Sequence, residues 1–135
     1  MNKLTDEILK KKYDELHNNF INGDFLNVIK GCNKVLEKRK NQLFFNLLCV
    51  TYQKIGKIEK SIDVMNKALT FNPNHPDFLN NLGLCFYMLH KFSEAEKYFK
   101  KGLEINNKHL HILNNLGNLK RETFKIEESI KYYKE

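Results

Sequence analysis

Apolar positions recur at three- and four-residue intervals through most of this chain. One stretch places four of them at i, i+3, i+4 and i+7: Phe45, Leu48, Cys49 and Tyr52. This spacing puts them on one side of an α-helix. Gly56 then interrupts the pattern, and a second helical stripe runs from Ile58 to Leu69. The proline-containing segment 72–76 ends that helix and begins another. The pattern therefore predicts antiparallel helix pairs joined by tight turns.

The same pattern returns after 34 residues. The pentapeptide LNNLG occurs at 79–83 and again at 113–117. The blocks 42–75, 76–109 and 110–135 align without a gap, and a weaker copy covers residues 9–41. A self-similarity of this period indicates stacked helix–turn–helix units. The sequence predicts an all-α fold in which residues 1–135 form a single array of about four units, the last one incomplete.

Small residues recur at fixed places in these blocks. On the first helix they are Cys49, Gly83 and Gly117, and on the second Ser61, Ala95 and Ser129. Because the distance between packed helices depends on the side chains at their contact, small residues mark close crossings. The three cysteines, Cys32, Cys49 and Cys85, all fall on apolar stripes. We expect them to be small buried hydrophobes rather than disulfide partners or metal ligands.

These blocks resemble tetratricopeptide repeats, which are helix–turn–helix units of this length. The matching residues are the pairs Leu82-Gly83 and Leu116-Gly117, the aromatic Tyr52 and Phe86, the small Ser61, Ala95 and Ser129, and Phe99, Tyr133, Ala68 and Pro73. The resemblance covers about residues 9–135. It implies a right-handed superhelix whose concave groove, lined by the first helix of each unit, binds an extended peptide or a partner helix. It thus implies a non-catalytic scaffold for protein–protein interaction, without a cofactor.

The face opposite the packing stripe of each first helix is expected to line this groove. The candidate binding residues are Asn46, Leu47, Val50, Asn80, Asn81, Leu84, Tyr87, Met88, Asn114, Asn115, Asn118 and Arg121. Leu84, Tyr87 and Met88 are predicted to form its apolar anchor, because contiguous exposed apolar residues are typical of a partner-binding surface. Asn118 and Arg121 are predicted to be polar contacts.

Asn81 and Asn115 occupy the same place in successive blocks. An Asn side chain offers both a donor and an acceptor, so each could pair with one peptide unit of an extended ligand. This arrangement resembles the asparagine ladder of the glycosyltransferases that add N-acetylglucosamine to proteins, although Leu47 interrupts it here. The alternative interpretation is that these residues are neutral surface positions of an Asn-rich chain.

A second binding mode of the resembled family is the carboxylate clamp for chaperone tails. The clamp needs Lys and Arg on successive first helices. The matching places hold Asn46, Val50, Asn81, His111 and Asn115, or, one repeat earlier, Lys12, His17, Leu47, Asp77 and Asn81. Neither set supplies the cations, so the sequence argues against chaperone-tail binding.

Composition narrows the function further. The net charge is +7, with +3 on residues 1–41 and +4 on the remainder, so no element concentrates the excess as nucleic-acid binding would favour. The sequence contains no phosphate-binding loop, zinc-protease motif or Cys-x-x-Cys pair. We therefore predict no catalytic residues and no metal site. Without a signal-like start or a long apolar run, a cytoplasmic protein that does not contact membranes is expected.

The last block is predicted to stop within its second helix. The face carrying Ile126, Ser129, Ile130 and Tyr133 would then lack the neighbour that normally covers it. Three explanations are open: the chain is a fragment, the face pairs with a second copy, or the helix frays. A fragment is favoured. The alternative function is then the N-terminal substrate-recognition region of a larger enzyme, such as a glycosyltransferase or a sulfotransferase.

Overall fold

The computed structural model describes residues 5–134, which form seven α-helices and no strand. The helices are α1 (Asp6–Ile21), α2 (Phe25–Lys38), α3 (Gln42–Lys54), α4 (Ile58–Phe71), α5 (Pro76–Met88), α6 (Phe92–Ile105) and α7 (Leu110–Lys134). The all-α prediction is confirmed. The chain divides into two compact units, Met1–Pro73 with α1 to α4 and Asn74–Glu135 with α5 to α7.

Helix starts follow from local sequence. The hydroxyl of Thr5 accepts a hydrogen bond from the Ile8 N–H at 3.3 Å and caps α1. The Asn41 side chain accepts one from the Leu43 N–H at 2.9 Å and caps α3. Each cap satisfies one of the N–H groups that a helix leaves unpaired at its start. Pro76 stands in the first turn of α5, as the sequence predicts.

The first unit packs its helix pairs through small residues at their crossings. The hydroxyl of Ser61 on α4 donates to the carbonyl oxygen of Cys49 on α3 at 2.8 Å, and both residues are fully buried. The ring of Phe44 is also fully buried and meets Tyr13 of α1 edge-on at 5.9 Å. The small-residue prediction is confirmed at this crossing.

Two glycines of the second unit, Gly83 and Gly102, lie where side chains of a neighbouring helix approach closely. A Cβ atom on Gly83 of α5 would lie 2.6 Å from the ring of Phe99 on α6. One on Gly102 of α6 would lie 2.6 Å from the side chain of Ile112 on α7. Ala95, Phe99, Ile112 and Leu119 form the buried cluster of this unit. The predicted close crossing between α5 and α6 is therefore confirmed.

The predicted second helix of the last block does not form, because α7 runs unbroken from Leu110 to Lys134. The earlier turns need a backbone φ in the left-handed region: +81° at Gly23, +82° at Gly56 and +59° at His90. Phe124 occupies the corresponding place in the last block. A bulky side chain disfavours a positive φ, so the helix continues where the earlier blocks turn.

Because α7 is continuous, side chains of the last block are exposed at places where the earlier blocks bury the equivalent residues. Leu113 is 43% exposed, whereas Leu79, one repeat earlier, is 1% exposed. Apart from its chain neighbours and the backbone of its own helix, no described atom lies within 4 Å of a Cβ built on Gly117. Ser129 is exposed rather than packed at a crossing, and Ile126 and Ile130 are also exposed. The side chain of Tyr133 lies outside the part that the structure describes.

The prediction that the cysteines are small buried residues is confirmed, because Cys32, Cys49 and Cys85 are all buried and none of the three forms a disulfide. Burial raises the pKa of the Cys32 thiol to about 12, so this thiol stays protonated and unreactive at neutral pH. Among the described helices, none has the length and apolar character needed to cross a membrane.

Candidate functional site

Two polar contacts hold α5 and α7 side by side in the second unit. His109 Nε2 lies 2.6 Å from Asp77 Oδ1. The Asn115 side-chain amide donates to Asn80 Oδ1 at 2.9 Å. Asp77 and Met88 of α5 and His111 and Asn118 of α7 are exposed, so one side of the helix pair is open. We call this open side the α5–α7 face.

The repeat pattern contains a sign of this histidine contact that the sequence-based predictions did not include. His75 and His109 stand 34 residues apart, each directly before a first helix. The Ile112 N–H donates to His109 Nδ1 at 3.3 Å, and the other ring nitrogen, Nε2, faces Asp77. This one side chain therefore caps α7 and ties it to α5.

Two rows of side chains at helical spacing line the α5–α7 face. The α5 row is Asp77, Asn81, Leu84 and Met88, and the α7 row is His111, Asn115, Asn118 and Glu122. Met88 is 44% exposed, Leu84 is half-buried, and Asn118 is exposed. The face thus presents apolar side chains of α5 beside side-chain amides of α7, a combination suited to binding a peptide.

Two predicted groove residues prove to be buried. Asn80 is only 9% exposed, because it points sideways toward Asn115 on α7. Leu47 is buried in the first unit. It lies three residues after Phe44, on the side of α3 that meets Tyr13 of α1. The structure corrects the expectation that these two side chains are exposed, because that expectation considered the contact within each helix pair and not that between neighbouring first helices.

The proposed asparagine ladder has one internal contact that the sequence did not reveal. Asn81 and Asn115 both belong to the rows of the α5–α7 face, and both are half-buried. Asn115 donates one amide N–H to Asn80. Its carbonyl oxygen and second N–H are the groups left to meet a ligand. The ladder stays a prediction, and Asn115 now has a structural role beside it.

The other candidate residues have varied surroundings. Tyr87 packs against the buried cluster, with its ring 5.5 Å from that of Phe92. The Arg121 guanidinium donates to Asn118 Oδ1, and Asn114 is exposed. In the first unit, Asn46 and Val50 are half-buried on α3. These residues remain candidates, but only those of the second unit can be placed on the α5–α7 face.

Glu96 of α6 forms an ion pair with an exposed lysine of α7. Its carboxylate accepts hydrogen bonds from Lys120 of α7 and, at 3.2 Å, from Lys100 of its own helix. These two bonds, led by that from Lys120, hold the pKa of Glu96 below its ordinary value of 4.5. The contact joins residues 24 positions apart, so periodicity along one helix could not predict it.

Glu96→Gln is expected to lower the free energy of unfolding by less than about 1 kcal/mol at pH 7, because the site is solvent-accessible and screened. Since the folded-state pKa is depressed, the contribution is fully present above pH 4.5 and is lost as the pH falls through the folded value. Denaturant titrations at pH 7 and pH 3 test this. The matched variant Glu104→Gln, exposed on the same helix, should follow the native pH profile; a Glu96→Gln difference that persists at pH 3 would contradict the assignment.

Comparison with known proteins identifies the family. Family models described as tetratricopeptide repeat match residues 76–109 and residues 42–75 and 110–135. The chain belongs to the tetratricopeptide-repeat family. Curated protein sequences give no match.

Solved structures show the same fold at low sequence identity. The Sgt2 domain from Aspergillus fumigatus is 21% identical with a TM-score of 0.79, over 94% of this chain and 83% of that one. The first such domain of human RPAP3 is 18% identical with a TM-score of 0.78, over 87% and 94%. The Yersinia enterocolitica type III secretion chaperone SycD, in complex with a peptide of the translocator YopD, is 18% identical with a TM-score of 0.74, over 99% and 100%.

Proposed function

We propose that this protein is a non-catalytic protein-interaction scaffold that binds a peptide on the α5–α7 face. The observation that carries the proposal is the pairing of accessible Leu84 and Met88 with the amide of Asn118 on one open side of two helices. Apolar side chains contribute affinity by leaving water, and amides pair with the ligand backbone whatever its sequence.

The charged residues of the α5–α7 face also restrict the charge of the peptides that can bind there. Asp77 and Glu122 stand at the ends of the two rows, with Arg121 beside the second. A ligand rich in acidic residues would meet these carboxylates, which favours a peptide with apolar residues and few negative charges. The expectation that chaperone tails are not the ligand follows from the same positions.

Fold relatives support a peptide ligand without identifying it. SycD is bound to a peptide of YopD, and a first RPAP3 repeat domain, from the protein Spaghetti, is bound to the HSP90 peptide SRMEEVD. We infer that this chain likewise uses its repeats to bind a protein partner, in a cytoplasmic setting. The possibility that it guides substrates for a transferase stays a prediction.

The double variant Met88→Ala with Asn118→Ala is expected to weaken peptide binding about tenfold, since each change removes one accessible contact. The probe is a peptide selected on the intact chain from a random twelve-residue library, with affinity measured by fluorescence anisotropy. Thermal unfolding should change little, because both side chains are largely outside the core.

The matched control is Ile105→Ala with Asn66→Ala, two exposed side chains that belong to neither row of the α5–α7 face. It should leave the affinity unchanged. Equal affinity in both double variants would reject the proposed face. Asn115→Ala is a poorer test, because it would leave the buried Asn80 without its bond and cost about 1–3 kcal/mol of stability.

A further inference from the structure

We propose that the outer surface of the α1–α2 pair is a second docking site, which binds an acidic peptide segment carrying one apolar side chain. The surface consists of two adjoining clefts in the first unit that share Lys12 of α1 and Lys34 of α2. Lys30 lines one cleft, and Lys38, Ile8 and Val35 line the other. This site shares no residue with the α5–α7 face.

The lysines of α2 form a line of like charge. Lys30, Lys34 and Lys38 follow one another at four-residue intervals, so they share one side of the helix over about 12 Å. Among the described residues, the ion pairs of this unit join Lys12 to Glu15 and Arg39 to Asp6; the three α2 lysines take no part in them. Like charges at this spacing repel one another, and an acidic ligand would relieve that repulsion.

The second cleft adds apolar side chains to these charges. It has a volume of about 160 Å³, and Ile8 and Val35 line it together with Lys12, Lys34 and Lys38. Ile8 is 49% exposed although it stands on a helix that packs through its other side. A cavity of about 150 Å³ accommodates a benzene-sized group, so the cleft has room for one apolar side chain.

A peptide fits this surface better than a nucleic acid does. Single-stranded nucleic acids are usually held by aromatic side chains that stack on the bases, and no aromatic residue lines either cleft. An acidic segment with one apolar residue matches both the charge and the pocket.

The test uses a fluorescein-labelled peptide, acetyl-Glu-Asp-Glu-Leu-Glu-Asp-Glu amide, and the intact chain. Binding is expected at low salt and should weaken toward about 0.15 M salt, where exposed charges are screened. Lys34→Glu should weaken binding at least about tenfold, because it reverses a charge common to both clefts. This variant places Glu between Lys30 and Lys38, which supports the helix.

Two controls separate the site from general charge attraction. Lys91→Glu makes the same charge change at an exposed position before α6 and should leave affinity near the native value. A peptide with Ser in place of Leu should bind more weakly to the native chain, and Ile8→Ser should abolish that difference. Absence of binding at low salt, equal weakening by both lysine variants, or displacement by an oligothymidine at equal affinity would overturn the proposal.

Discussion

Phe99→Ala is expected to lower the free energy of unfolding of the second unit by about 3–5 kcal/mol, the range measured when large aromatic residues are removed from protein cores. Phe99 is fully buried, and its ring covers the backbone at Gly83 of α5. Removing the ring leaves a cavity at the crossing of α5 and α6, and glycine has no side chain with which to fill it. Denaturant titration, with hydrogen exchange of the α5 and α6 amides to assign the loss to this unit, measures the effect.

Phe124→Ala is the matched control for this prediction. The substitution is chemically identical and lies in the same unit, but Phe124 is mostly exposed on α7. We expect a change within about 0.5 kcal/mol, since surface substitutions away from packed sites have small effects. A loss at Phe99 no larger than that at Phe124 would show that the crossing is not packed as described.

Gly83→Leu and Gly117→Leu are expected to change stability in opposite directions, although the two glycines occupy the same place in successive blocks. At Gly83 even a Cβ would lie 2.6 Å from the Phe99 ring, so overpacking should cost about 1–3 kcal/mol or more. At Gly117 the Cβ meets open space, and replacing glycine within a helix should gain up to about 1 kcal/mol. Thermal unfolding of both variants gives the comparison.

The Gly117 result also tests the conformation of α7. If the segment after Phe124 folded back to cover Gly117, as the repeat pattern predicts, Leu at 117 would be as damaging as Leu at 83. Two destabilised variants would therefore contradict the continuous helix. Opposite signs would support it, and would show that identical pentapeptides can have different packing.

Within the candidate site, the sequence was most informative about which side of a helix each residue occupies. Leu84, Met88 and Asn118 lie on the open side of α5 and α7, where the spacing places them. Asn80 and Leu47 were misplaced because a first helix contacts its own partner helix and also the next first helix. The second contact depends on how the units pack, which periodicity along one helix does not report.

The sequence by itself determined the helical periodicity, the length of the repeat and the need for small residues at helix crossings. These follow from local geometry, because residues three and four apart share a side of a helix and a glycine permits a close approach. Only the tertiary structure decided that Asn115 bonds to Asn80, that Glu96 holds Lys120, and that α7 continues past Phe124. The two side-chain contacts join residues distant in sequence. The unbroken α7 depends on whether Phe124 adopts a positive φ or remains helical. Such choices depend on the free energy of the folded unit rather than on any one segment.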